Sequence, residues 1–347
     1  MNGPVASVIV PCRNVPDTVE DALSGVLSSP LRELEVIAVD DGSTDGTIDV
    51  LHAIAGRDSR VKVLGSGGRG VSAARNVGLD AAAGEFIFFL DADDTVDPEF
   101  YPRAVEAMRK DEADYCRVSH DEIVPSTGQR VVCPVKGDCR LCDSRDIRET
   151  LLSRFFGYSF AQVRDWYGGE PLWTKREMAG VWAGGYRLTA IKANGIRFDE
   201  TIEIFEDAMF LSEYLLSCRR TTMIEGCLYH YRRSESGSMA SKLRGPEFFE
   251  NKLRLLEKRK QLNAKSGGKI AHLYAASCVF SLLEILRASL RTKGCFLLGL
   301  KTFLRYGRDP VVRVALRGFP VSCRKPVLAT SVLLCRLLFP ASGAPAM

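Results

Sequence analysis

Two hydropathy periods alternate through the first hundred residues. Short apolar runs at Val5 to Val10, Leu34 to Val39, Val61 to Leu64 and Glu85 to Leu90 are separated by stretches whose apolar residues recur every three to four positions. The uninterrupted runs predict strands covered on both faces, and the 3.6-residue spacing predicts helices with one buried side. Pro11-Cys12-Arg13-Asn14 breaks the first strand. In the helix that follows, Asp17 and Glu20 stand at capping-box spacing, and Val19, Ala22, Leu23, Val26 and Leu27 share one face. Thr44-Asp45-Gly46-Thr47 opens a second helix with Ile48, Leu51 and Ile54 inward, and a small-residue helix runs from Val71 to Ala83. Strands and helices in strict alternation predict a parallel sheet with right-handed crossovers, a nucleotide-binding type of α/β half-domain.

Past Asp94 the pattern changes. Pro98 starts a helix to about Lys110, Asp114 to Ser119 reads as a strand, and residues 120–185 are irregular, rich in glycine and aromatics. Trp166, Tyr167, Trp173 and Trp182 in that stretch suit either sugar stacking or a small core. Glu206-Asp207 opens a helix with Phe210, Leu211, Tyr214 and Leu215 inward; a strand from Leu228 then runs into Arg232-Arg233 and a Ser236-Gly237-Ser238 turn. The rest reads as helices punctuated by proline and glycine. The expected organisation is a catalytic domain over 1–241, with a nucleotide-binding half (1–110) and an acceptor half (111–241), followed by a basic helical region over 242–347.

Bulk properties narrow the class. The chain has 347 residues, 46% of them hydrophobic, with mean hydropathy −0.03. No apolar run is long enough to span a bilayer, and Met1-Asn2-Gly3-Pro4 has no basic segment of the secretory type. A cytoplasmic location is therefore expected. The eleven cysteines are scattered, which predicts reduced, packing thiols. The net charge of +4 hides an uneven distribution: residues 1–241 hold 27 Lys and Arg against 38 Asp and Glu, whereas 242–347 hold 20 against 5. An acidic first part argues against nucleic acid as a partner. A basic, Leu- and Phe-rich second part predicts peripheral contact with anionic lipid at the inner membrane face, or else a helical subdomain packed on the catalytic domain or a dimer mate.

Candidate chemistry gathers where strands end. Glu85-Phe-Ile-Phe-Phe-Leu90 delivers Asp91, Asp93 and Asp94 to one point. Such acids repel one another unless a divalent cation, Mn or Mg, lies among them; the alternative is a solvated acidic turn. Gly65, Gly67 and Gly70 fit a dinucleotide fingerprint, with Asp91 about twenty residues on, which would suit an NAD-dependent oxidoreductase. Against this, the fingerprint sits on the third strand and a ribose needs only one acid. Cys133, Cys139 and Cys142, with Cys116 and His120 nearby, contain a single C-x-x-C, which is half of a four-ligand zinc site; packing cysteines on a hairpin are the other reading.

The ordered set Ser7-Val8-Ile9-Val10-Pro11, Asn14, Val39-Asp40-Asp41-Gly42-Ser43-Thr44-Asp45, Ala73-Ala74-Arg75-Asn76-x-Gly78 and Phe89-Leu90-Asp91-Ala92-Asp93-Asp94 resembles the motifs of family-2 glycosyltransferases. These are inverting enzymes of the GT-A fold that use nucleotide-diphosphate sugars. The resemblance covers about residues 5–240, and Cys12-Arg13 departs from the small or apolar residue and Tyr of many relatives. It implies an α/β mixed sheet flanked by helices, a UDP-sugar donor and a glycan or lipid-linked acceptor in cell-envelope or exopolysaccharide synthesis. A non-catalytic nucleotide-sugar binding module is the alternative within the same fold.

Roles carry over residue by residue. Asp41, beside Pro11 and Asn14, would accept from N3–H of uracil, and Arg75 would meet the base or the phosphates. Asp91 matches the ribose-side acid and Asp93 the metal-side acid, with His230 as a third metal ligand or else a half-buried strand histidine. Glu206-Asp207 matches the family's second acidic pair, and Asp207 would act as general base on the acceptor hydroxyl. Arg232, Arg233 and Ser238 resemble the phosphate-side loop, where guanidinium forks suit phosphate oxygens.

Overall fold

The structure is a computed structural model that describes residues 3–135, 140, 143–167, 180–233, 245–289 and 296–318. Two compact units are present, Met1–Leu152 with Ala179–Ser241, and Ser153–Met178 with Lys242–Met347. The chain thus leaves the first unit and returns to it, and residues 153–178 belong with the C-terminal helices instead of the acceptor half.

The first unit runs β1 (Ala6–Cys12), α1 (Val19–Leu27), β2 (Leu34–Asp40), α2 (Thr47–Arg57), β3 (Val61–Gly65), α3 (Val71–Ala81), β4 (Phe86–Phe89), β5 (Thr95–Val96), α4 (Phe100–Lys110), β6 (Tyr115–Val124), β7 (Gln129–Cys133), β8 (Gly184–Arg187) and β9 (Thr221–Arg232), with a helix over Glu206–Ser217 between the last two strands. Among the described residues these strands form one sheet in the order β3-β2-β1-β4-β8-β6-β9-β5, with β7 paired on β6. β1 to β4 are parallel, β8 runs antiparallel to β4 and β6, and β9 lies parallel to β6.

Strand alternation explains why β4 is apolar throughout. All four of its residues are at most 1% exposed. Phe88 meets Phe100 and Tyr101 edge-on at ring distances of 5.6 and 5.1 Å, while Phe89 meets Phe198 and Phe210 at 5.3 and 5.7 Å. Each face therefore has its own aromatic layer, and burying each ring contributes about 1.5–3 kcal/mol. α3 lies close on β1 because its facing residues are small: a Cβ at Gly78 would fall 2.3 Å from Ile9 Cγ2.

Two local expectations are corrected. α1 has Thr18 as its N-cap with no side-chain cap bond; Thr18 Oγ1 donates to the Ala92 carbonyl at 2.9 Å, and Glu20 pairs instead with Arg57 on the surface. α2 begins at Thr47, three residues after Thr44, because the Asp45 carboxylate accepts from both N and Oγ1 of Thr47.

In the second unit, Leu282, Leu283 and Ile285 of the helix Ala271–Ser289 are fully buried, so these residues form a core and not a membrane-facing stripe. Arg259 is buried there too, with Nε donating to the Phe156 carbonyl at 2.9 Å, and Ser277 Oγ accepts from Tyr158 N at 3.1 Å. Among the described residues no helix is long and apolar enough to cross a membrane.

Candidate active site

Since β1 to β4 run the same way, their carboxyl ends finish on one edge of the sheet, the edge where open α/β sheets bind ligands. Asn14 takes a left-handed conformation there (φ 53°), and its side chain accepts from Thr44 N at 2.9 Å, joining the turns after β1 and β2. Pro11 lies opposite Val39 in the register. Asp41 is 3% exposed and accepts from Ser66 Oγ at 2.6 Å, Gly70 N at 3.0 Å and Arg13 Nη1 at 3.3 Å. Gly67, Gly68 and Gly70 all have positive φ, which lets the loop after β3 fold back onto this carboxylate. The Gly70 amide is thus directed at Asp41 and does not form a dinucleotide cradle, and β3 is an edge strand of the sheet.

Arg75 is the surprise of the site. It is 5% exposed, and two carboxylates take up its guanidinium. Nη2 donates to Asp91 Oδ1 and Nη1 to Glu206 Oε1, both at 2.9 Å, and the guanidinium packs over the Phe198 ring at 5.3 Å. One planar fork thereby joins the acids after β4 to those opening the helix Glu206–Ser217. Asn76, one residue on, exchanges hydrogen bonds with the backbone of Phe198 at 2.9 and 3.0 Å and donates to Glu200 at 3.1 Å, so α3 also holds the approach to that helix.

Within the first acidic cluster the three carboxylates differ. Asp94 is fully buried, accepting from Tyr229 Oη at 2.6 Å and Arg232 N at 2.7 Å. Burial, and then the charge of Asp91, push its carboxyl up to about 8. Tyr229 Oη also accepts from Asp91 N at 3.3 Å. Asp93 is exposed at the rim, its carboxyl raised by desolvation and by Asp91. Asp91 and Asp93 are the carboxylates not consumed in holding the turn together, and they offer oxygen donors of the kind a hard divalent cation takes.

Glu206 and Asp207 form the first turn of their helix, and Phe205 before them is held in the left-handed region (φ 70°), a strained setting for a non-glycine residue at a helix start. Burial, then the Glu206 charge, raise the Asp207 carboxyl to about 7, against the opposing pull of Arg75.

His230 is not part of this cluster. Its Nδ1 lies 2.9 Å from Asp121 and 3.1 Å from Arg130, and strand alternation sends it to the face opposite Tyr229. Arg232 contributes its backbone amide to Asp94, while its guanidinium pairs with Asp21 of α1 at 3.0 Å. Arg233 is exposed just past the end of β9, and its amide donates to the Ile123 carbonyl at 2.8 Å. Ser238, like Cys139, Cys142 and Trp173, lies outside the described residues, as do the side chains of Trp166 and Tyr167. Trp182 is 5% exposed and stacks on Tyr229 at 4.4 Å, so it is core and not a sugar platform. Tyr229, Asn76 and Phe205 had no assigned role in the sequence reading; Asn76 alone carried a signal, as part of the Arg75-Asn76 motif.

Residues 7–149 match the family model described as glycosyl transferase family 2. That segment, under half of the chain, carries the family's domain. Among curated relatives, the chain is 28% identical to the uncharacterized glycosyltransferase EpsJ of Bacillus subtilis over 231 residues, 67% of this chain and 62% of the relative. It is 26% identical to the poly(ribitol-phosphate) beta-N-acetylglucosaminyltransferase TarS of Staphylococcus aureus over 258 residues, 72% of this chain and 39% of that protein. The chain thus spans less than two thirds of the length of these relatives. The crystal structure of S. aureus TarS 1–349 in complex with UDP-GlcNAc superposes with TM-score 0.63 at 19% identity, covering 96% of this chain and 87% of the other, which establishes the GT-A fold.

Proposed function

We propose that this protein is a glycosyltransferase that moves a sugar from a nucleoside-diphosphate donor, with UDP as the first choice, onto a hydroxyl of a glycan or lipid-linked acceptor in cell-envelope synthesis, inverting the anomeric centre. The observation that carries the reading is the Arg75 bridge: Asp91 and Glu206 meet on one guanidinium, which supports a site shared by the acids after β4 and the Glu206-Asp207 pair. UDP as the nucleotide rests on the UDP-GlcNAc complex of the structural neighbour and on the Asp41 carboxylate beside Pro11.

In this reading Asp207 takes the proton of the acceptor hydroxyl as the oxygen attacks C1 from the face opposite the nucleotide. A carboxyl raised to about 7 is matched to that work near neutral pH. Asp91 and Asp93 would hold Mn or Mg, which when bound supplies positive charge at the diphosphate. Arg75 holds Asp91 and Glu206 in place and compensates their charge. Asp41, with Arg13 beside it, shapes the base end, and Arg233 stands on the phosphate side. Direct displacement needs no nucleophilic Ser or Cys. The basic helices of 242–347 are proposed to supply peripheral contact with anionic lipid.

The test is a screen of UDP- and GDP-sugars with Mn or Mg, product read by mass and anomeric configuration by NMR. UDP-sugar turnover with inversion, lost in Asp207→Asn and in Asp93→Asn, is the expected result. Turnover undiminished in Asp207→Asn, or a retained anomer, would reject the mechanism.

A further inference from the structure

One cluster of ligand-type side chains lies apart from the acids after β4. His120 and Glu122 are two residues apart on β6 and project to the same face, and Cys133 of β7 sits directly opposite His120 in the antiparallel register. Their ligand atoms all lie within 4.8 Å of one another, and Cys133 Sγ is 3.9 Å from Glu122 Oε1. Asp121, between them in sequence, points the other way and pairs with Arg130 at 2.6 Å.

We propose that His120, Glu122 and Cys133 form a second metal site, which takes a borderline-soft divalent ion of the zinc type. Nitrogen, oxygen and sulfur in one group are the donor set such an ion prefers, whereas Asp91 and Asp93 offer oxygen alone. Tetrahedral bonds of about 2.0–2.3 Å place ligand atoms roughly 3.4–3.7 Å apart. The group closes to that spacing by side-chain rotation, since Glu122 and Cys133 are only half-buried. Binding displaces the Cys133 thiol proton to solvent and leaves the thiolate on the ion. The ion clips β7 to β6. Among the described strands β7 pairs with no other, and its Val131 and Val132 are 47% and 60% exposed, so apolar burial does little to hold it. The clip also fixes a second layer behind the acidic cleft, because the His120 ring meets Trp182 edge-on at 4.8 Å and Trp182 stacks on Tyr229.

Cobalt(II) titration of the reduced, chelator-stripped full chain tests this by absorbance. The expected result is a thiolate-to-cobalt charge-transfer band that saturates at a single equivalent and is bleached by zinc. Cys133→Ser loses the band and Asp93→Asn keeps it, which separates this site from the donor cleft without any activity measurement. Glu122→Gln, which preserves every thiol, should weaken cobalt binding by at least about tenfold. Absence of the band in the wild type, its survival in Cys133→Ser, or unchanged affinity in Glu122→Gln would each overturn the proposal.

Discussion

Arg75 concentrates the energetics of the site in a single side chain. Its guanidinium is 6% exposed and compensates two carboxylates, one of them 131 positions away in the chain. Removing one member of a buried ion group leaves the others uncompensated, at a cost of about 3–5 kcal/mol. Arg75→Met should therefore lower the unfolding free energy read from urea melts by that margin and abolish transfer, while Arg75→Lys, lacking the fork, recovers only part; an unchanged unfolding free energy in Arg75→Met would show that the bridge is dispensable. Asp207 makes a different prediction. As the proposed general base it must be ionised, so with its carboxyl at about 7 the turnover rate should rise about tenfold per pH unit below that value and level off above it. Asp207→Asn should lower kcat by about 10²–10⁴-fold and remove the acid limb from whatever rate remains. The acids were legible in the sequence because they cluster locally, after a strand or at a helix start. The role of Arg75 was not, because a pairing over 131 positions leaves no local spacing to read.

Helix and strand packing sets the precision of the cleft, and two glycines separate close approach from mere flexibility. A methyl at Gly78 would fall 2.3 Å from Ile9 Cγ2 on the central strand β1, whereas one at Gly56 in α2 meets nothing within 4 Å. Gly78→Ala should then cost about 1–3 kcal/mol by overpacking, and Gly56→Ala should stabilise by up to about 1 kcal/mol through helix propensity. Paired thermal melts check both signs, and equal shifts would show that α3 does not need its small face. The first four strands were readable because each is an apolar run between turn residues. β8 was not, since Gly184-Gly185-Tyr186-Arg187 has no apolar period. It forms because its glycines leave room for neighbouring rings: a Cβ on Gly185 would lie 2.7 Å from Phe88 Cε1. His230 misled for a related reason. Its residue type suits a metal, but the register of β9 turns it toward Asp121.

Across the whole molecule the charge split was plain from the sequence, while the joining of residues 153–178 to the C-terminal helices was not. That union rests on bonds such as Arg259 to the Phe156 carbonyl, 103 positions apart. It also changes what membrane contact can consist of. Leu282, Leu283 and Ile285 are consumed in the core of the second unit, so the proposed attraction to lipid rests mainly on the excess of basic residues over 242–347, with single exposed apolar residues such as Leu297 and Val314 beside it. Electrostatic attachment differs from apolar insertion in its response to salt, because the screening length shrinks from about 10 Å at 0.1 M to about 3 Å at 1 M. The full chain should therefore float with anionic vesicles at low salt, not with neutral ones, and be released as salt rises. Flotation that persists at 1 M salt would mean that an apolar surface enters the bilayer. Failure to float under any condition would leave the basic helices as packing elements, with the acceptor reached from solution.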